Sequence, residues 1–391
     1  MAPASTLAAG SVGSIETQYL DLPEPVQLDN GRALHPIRVA YETYGTLSPQ
    51  RDNVILVCHA LSGDAHAAGF SKTPPEGSTR DGFAAEDRDG GAGKGLGWWD
   101  GMIGPGKAFD TDHYFVVSTN LLGGCRGTTG PSSIDPATGK PYGSDFPVIT
   151  VADMVRTERA FLDVLGIERL AAVAGGSLGG MQALQWAVSY PDMMDSVVPI
   201  IPLARTPAWT TGVLEMLRQS IMADPRWKGG NYDAADPPEQ GMRLWAGWLS
   251  GVIVRTPVFQ EESFPKGGED EIRFLKGVED GGWKRMDALD WVYQSWAYDQ
   301  HDVGNTPGFN GDYNRALGSI RAKTLILAGS TDLLNPEYES MQAARQIPGA
   351  RFVSINAERP LGHLSGAGAT AKENEVQNRE IAAFLAGLGR R

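Results

Sequence analysis

Cysteine is almost missing from this chain: Cys58 and Cys125 are the only two among 391 residues. That excludes a disulfide framework, and Cys58, set in a strand-like run, reads as a small buried apolar residue. Basic residues are in deficit, 34 against 47 acidic, for a net charge of −13. Neither nucleic acid nor an anionic membrane is attracted to such a surface, so neither is expected as a partner. No apolar run reaches membrane-spanning length. Met1-Ala-Pro-Ala-Ser-Thr-Leu7 lacks the basic start and long apolar stretch of a secretory signal, so a cytoplasmic chain is expected. Histidines are few, six in all. His59 and His66 have no patterned third ligand beside them, so no metal is expected, and nothing indicates a bound organic cofactor.

Apolar material is ample, at 41% hydrophobic and 21% charged, as in a globular protein with a sizeable core. Residues 36–46, Asn53 to Cys58, Tyr114 to Ser118, Leu170 to Ala174, Ser196 to Ile201, Lys323 to Ala328 and Arg351 to Ile355 read as strands. Several are nearly continuous apolar runs, the mark of strands buried on both faces. Helical spacing appears in Val151 to Leu165, Met181 to Tyr190 and Glu373 to Leu388. The alternation predicts an α/β fold with a mainly parallel sheet covered on both faces. Between 204 and 315 the texture changes: seven of the ten tryptophans lie there, with helical segments and no convincing strand. We read 1–203 and 316–391 as two parts of one core and 204–315 as a helical lid inserted between them. Ala67 to Leu96, rich in Gly, Asp and Pro, is too long for an ordinary connection and reads as a functional or disordered loop.

Gly175-Gly-Ser177-Leu-Gly179 is the one Gly-x-Ser-x-Gly in the chain, and an apolar strand enters it while a helix leaves it. This is the setting of a nucleophile elbow, where small residues let the backbone turn sharply and project the serine Oγ beyond the sheet. A serine hydroxyl is a poor nucleophile unless an oriented base takes its proton. Asp332, at the turn after Thr324 to Gly329, and His363, after the next strand, can reach the same sheet edge. We therefore assign Ser177 as nucleophile, His363 as base and then acid, and Asp332 as the group that orients the imidazole, with Asp299 or Asp302 as competing acids. The helix N-terminus at Leu178 and the turn after Cys58 would supply the oxyanion donors, the backbone N–H groups of Leu178 and Leu61.

These residues sit in blocks that resemble the homoserine O-acetyltransferase family of α/β-hydrolases. The blocks are Tyr41-Glu-Thr-Tyr-Gly45, Cys58-His-Ala-Leu-Ser-Gly-Asp-Ala-His66, Trp98 to Asp110, Asn120 to Ser133 and Gly175 to Leu184, and the likeness spans about residues 15–66, 98–203 and 316–390. The resemblance implies the α/β-hydrolase fold, a Ser-His-Asp mechanism through an acyl-enzyme, and a homodimer joined through the lid. It also exposes departures. The family's Gly-His-Asp, whose Asp holds the acceptor's ammonium, is here Gly362-His363-Leu364, and its Asn-Glu-Val-x-Arg is Leu214-Glu-Met-Leu-Arg218. Arg218 is either a carboxylate clamp or a structural partner of Glu215 or Asp224. Leaving a buried ammonium without its carboxylate costs about 3–5 kcal/mol, unless Glu358, Asp299 or Asp302 takes over. Leu214, Leu364 and Trp209 would then line an apolar pocket around a small-molecule ester. The expectation is a carboxylic-ester hydrolase acting on short acyl, chiefly acetyl, esters. The alternative is transfer of an acetyl or succinyl group from acyl-CoA to homoserine by the same two-step chemistry.

Overall fold

A computed structural model describes residues 10–61, 63–71, 95–124, 126–285, 287–355, 361–366 and 371–389. Most of the loop expected between Ala67 and Leu96, together with Ser62, Cys125 and Glu358, lies outside the described residues. The main sheet has eight strands: β1 (Gln18–Asp21), β2 (Arg38–Tyr44), β3 (Val54–Cys58), β4 (Phe115–Thr119), β5 (Leu170–Gly176), β6 (Met194–Ile200), β7 (Lys323–Gly329) and β8 (Arg351–Ile355). Their spatial order is β1-β2-β4-β3-β5-β6-β7-β8. β1 and β2 pair antiparallel at one edge, and β2 also pairs antiparallel with β4. Every other pairing is parallel. β1 is an addition to the strands legible in the sequence, because its exposed and partly polar Gln18-Tyr-Leu-Asp21 has no apolar run to announce it.

Apolar sequence and parallel pairing belong together here. All five residues of β3 and all seven of β5 are buried, and Val173 of β5 sits between Leu56 of β3 and Val197 of β6. One face is covered by helices α1 (Val151–Val164) and α2 (Leu178–Ser189), through Phe161, Leu162, Met181, Leu184 and Trp186. The other face buries Trp99, Met102, Phe109, Ile381 and Leu385. α1 begins at a reciprocal cap, in which Thr150 and Asp153 each accept the other's backbone N–H.

Strand order reverses between β3 and β5, so the loops that follow them leave in opposite directions and open a crevice at the carboxyl edge. From Ala208 to Gly318 the described residues form helices and turns, with no strand of the sheet. The helices are α3 (Ala208–Met222), α4 (Glu239–Ala246), α5 (Pro257–Ser263), α6 (Glu269–Gly282), α7 (Ala288–Asp299) and α8 (Tyr313–Gly318). The two ends of this segment are fastened together: Thr206 N–H donates to the His301 carbonyl, Val303 N–H to that of Ala204, and Arg205 pairs with Asp302 at 2.8 Å. Inside it, Trp245 and Trp291 stack with ring centroids 5.3 Å apart. The chain closes with α9 (Glu337–Gln346) and α10 (Ala371–Ala386).

The turn between β5 and α2 is the tightest contact in the sheet. A Cβ on Gly179 would lie 2.0 Å from the Cys58 carbonyl oxygen, and one on Gly175 2.6 Å from the same atom. Both neighbours are backbone and cannot swing aside. Gly179→Ala is therefore expected to lower stability by about 3 kcal/mol, read as an earlier denaturant midpoint; an unshifted midpoint would contradict the contact.

Candidate active site

The elbow leaves Ser177 with φ 57° and ψ −120°, a region that a non-glycine residue occupies only when its surroundings impose it. Ile201, just past β6, and Thr331, in the turn after β7, also have positive φ, at 43° and 60°. The backbone is thus strained after three neighbouring parallel strands, along one edge of the sheet. Ser177 N–H donates to the Ile200 carbonyl, which ties the elbow to β6.

The structure brings the three assigned residues together. Ser177 Oγ lies 2.8 Å from His363 Nε2, and His363 Nδ1 lies 2.8 Å from Asp332 Oδ2. A carboxylate oxygen only accepts, so Nδ1 carries the proton and Nε2 is left to receive that of Ser177. Asp332 Oδ1 accepts the backbone N–H groups of Leu334 and Asn335 at 2.8 and 2.9 Å, which fixes the carboxylate's rotation. All three side chains are buried. The competing acids go elsewhere: Asp299 pairs with Arg218, and Asp302 with Arg205.

The loop after β3 is braced from several sides. His59 is held between the Ala60 carbonyl, 2.7 Å from Nδ1, and both Asn120 Oδ1 and the Leu121 backbone nitrogen, 2.9 and 3.1 Å from Nε2. Burial pushes its pKa down, so it is held neutral as a loop brace. Buried Arg126 reaches the Gly63 carbonyl at 3.2 Å and Asp64 at 3.5 Å. Gln182 of α2 donates to the His59 carbonyl at 3.3 Å, which places Leu61's loop beside the helix N-terminus at Leu178. His66 meets Glu42 at 2.9 Å and the Gly95 carbonyl at 2.8 Å. Burial opposes its imidazolium, but the Glu42 carboxylate outweighs that and raises the pKa.

The residues expected to line a pocket divide. Leu364 is half-buried, and its N–H donates to the Val254 carbonyl of the inserted segment at 3.3 Å. Leu214 is wholly buried within the large apolar core. Trp209 is 55% exposed, with its indole N–H on the Leu333 carbonyl at 2.6 Å, so it straps α3 to the loop that carries Asp332. Arg218 is buried and engaged by Glu215 Oε2 at 2.8 Å, by Ser295 Oγ at 3.2 Å and by Asp299. Two residues with no motif around them also border the site. The Tyr298 hydroxyl, from α7, lies 3.4 Å from Ser177 Oγ and 2.6 Å from Asn335 Oδ1.

A family model described as the alpha/beta hydrolase fold matches residues 53–246. A homoserine O-acetyltransferase of Deferribacter desulfuricans is 39% identical over 371 residues, covering 90% of this chain and 92% of the relative. The chain belongs to the homoserine O-acetyltransferase family of α/β-hydrolases. A second such relative, from Methanosalsum zhilinae, is 41% identical over 85% of this chain, which spans only 65% of that longer protein. Among solved structures, homoserine O-acetyltransferase from Bacillus anthracis superposes with a TM-score of 0.82 at 31% identity, covering 95% of this chain and 97% of that one. Esterase E22 superposes at 0.81 and 32%, covering 95% and 100%.

Behind the elbow, Glu158 of α1 is buried and accepts from Trp186 Nε1 of α2 at 2.6 Å and from Thr119 Oγ1 of β4 at 3.2 Å. Burial pushes its pKa up from 4.5 to about 7, against the opposing pull of those donors. Between these values the folded protein keeps a proton that the unfolded chain has released. The associated stability is complete below 4.5 and is lost as pH rises through about 7. Glu158→Gln cannot ionise. It should remove a decline on the order of 3 kcal/mol from the stability profile across that window, measured by denaturant unfolding at several pH values; an unchanged slope would contradict the assignment.

Proposed function

We propose that this protein transfers an acetyl group from acetyl-CoA to the hydroxyl of homoserine through an acyl-enzyme on Ser177. The observation that carries the chemistry is the continuous Ser177–His363–Asp332 hydrogen-bond chain at the elbow. His363 Nε2 takes the Ser177 proton as Oγ attacks the thioester carbonyl and returns it to the departing CoA sulfur. Asp332 stabilises the imidazolium formed in between. The N–H groups of Leu178 and Leu61 receive the oxyanion. In the second half, His363 takes the acceptor's hydroxyl proton and hands it to Ser177.

This replaces the ester-hydrolase expectation. What overturns it is a consistent set of homoserine O-acetyltransferase relatives, at 37–41% identity over 84–97% of the chain. The physical reason lies in where two leucines sit. Leu214 is packed in the core, so its exchange for Asn speaks of packing rather than of pocket polarity. Charge for an amino-acid acceptor stands nearby in another form. Arg218 and Asp299 pair directly, and Asp299 Oδ1 is buried with no hydrogen-bond partner. A carboxylate and an ammonium on one acceptor would match this pair, Asp299 standing in for the acid that Leu364 replaces.

Purified enzyme given acetyl-CoA should release CoA in a homoserine-dependent manner, and Ser177→Ala should reduce this at least about 10⁴-fold. Asp299→Asn should raise KM for homoserine more than it lowers kcat. CoA release indifferent to homoserine would contradict the proposal.

We also propose a homodimer through the inserted helices. Supporting it, Met216 and Trp248 of this segment are 70% and 56% exposed, and Val258 and Ile272 are exposed as well. Sedimentation should give a dimer that Met216→Asp with Trp248→Asp converts to monomer; a monomeric native protein would contradict it.

A further inference from the structure

Tyr298 is wholly buried, and its hydroxyl lies 3.4 Å from the nucleophile Ser177 Oγ and 2.6 Å from Asn335 Oδ1. The direction of the second bond is fixed by its neighbours. Asn335 Nδ2 donates to the Ile201 carbonyl at 2.7 Å, so the amide oxygen is the atom that faces Tyr298. An amide oxygen only accepts, and the phenol's single proton is therefore committed to Asn335. Burial also raises the phenol's pKa, so it keeps that proton. Toward Ser177, Tyr298 presents lone pairs alone.

In the resting enzyme the Ser177 proton goes to His363, the nearer acceptor at 2.8 Å. Once Ser177 is acylated it has no proton, and the Tyr298 lone pairs stand 3.4 Å from the Oγ that carries the acyl group. An alcohol brings one O–H, which it must give to His363 Nε2. Water brings two. We infer that Tyr298 sets how the acyl-enzyme divides between a hydroxyl acceptor and water, by accepting the second O–H of an attacking water. The inference rests on the acyl-enzyme reading above and concerns a side branch of that chemistry. In this branch the water oxygen bonds to the acyl carbon, one water proton passes to His363 Nε2, and the carbonyl electron pair moves to the oxyanion. Collapse then breaks the bond to Ser177 Oγ, which takes the proton back from His363 as the carboxylic acid leaves. The proton held by Tyr298 stays with the product. Tyr298 itself gains and loses nothing.

The test uses p-nitrophenyl acetate as acyl donor and methanol as competing acceptor, because methanol differs from water at the attacking oxygen by that one proton. The ratio of methyl acetate to acetate formed should rise about five- to tenfold in Tyr298→Phe, the worth of one hydrogen bond. Labelling of Ser177 by a serine-reactive phosphonate confirms an intact triad in the same preparation. If the Phe variant does not fold, 3-fluorotyrosine at position 298 keeps the ring and the bond to Asn335 while weakening the lone pairs, and should move the ratio in the same direction by less. An unchanged product ratio in a variant that labels normally would overturn the inference. Because methanol takes the place of homoserine, this result is independent of whether homoserine is the acceptor.

Discussion

The close approach of the Gly175 and Gly179 backbones to the Cys58 carbonyl is the constraint on which the rest depends. It seats the start of α2 against the end of β3 and forces the sharp reversal that leaves Ser177 at positive φ. From that conformation Oγ clears the sheet and meets His363, while the helix N-terminus stands beside Leu61's loop. The strain is offset by what surrounds it: buried strands on either side, the Ser177 N–H bond to β6, and Glu158 pinning Trp186 beneath α2. A nucleophile placed this way needs no movement of its own to be aligned with its base.

The inserted helices act on the site through a few side chains. Trp209 and Thr210 of α3 hold the carbonyls of Leu333 and Leu334, next to the acid of the triad. The Val254 carbonyl holds the N–H of Leu364, next to the base. Tyr298 of α7 reaches the nucleophile and, through Asn335, the strained corner at Ile201. Each triad member is therefore touched or flanked by this segment, so its packing bears on acceptor choice as well as on access.

Much of the fold was legible in the sequence because its central strands are continuous apolar runs and the elbow is written in glycines. Ser177, Asp332 and His363 could be placed on one edge from strand order alone. What the sequence did not reveal has physical reasons. β1 is short and half-solvated. Tyr298 meets Ser177 across 121 positions of chain from a helix with no motif, so only tertiary packing brings it there. Leu214 and Leu364 stand where the family pattern has polar residues, which by itself points to an apolar pocket. The fold puts the first in the core and pairs Arg218 with Asp299, a long-range pairing that no local spacing encodes.

In the proposed reaction an acyl group waits on Ser177 for a hydroxyl acceptor. Mass spectrometry of enzyme mixed with acetyl-CoA alone, followed by peptide mapping, tests it most directly. One acetyl group is expected on the peptide carrying Ser177, discharged on adding homoserine with O-acetylhomoserine formed in equal amount. An unacetylated Ser177, or an acetyl group lost to water at the same rate with or without homoserine, would contradict it.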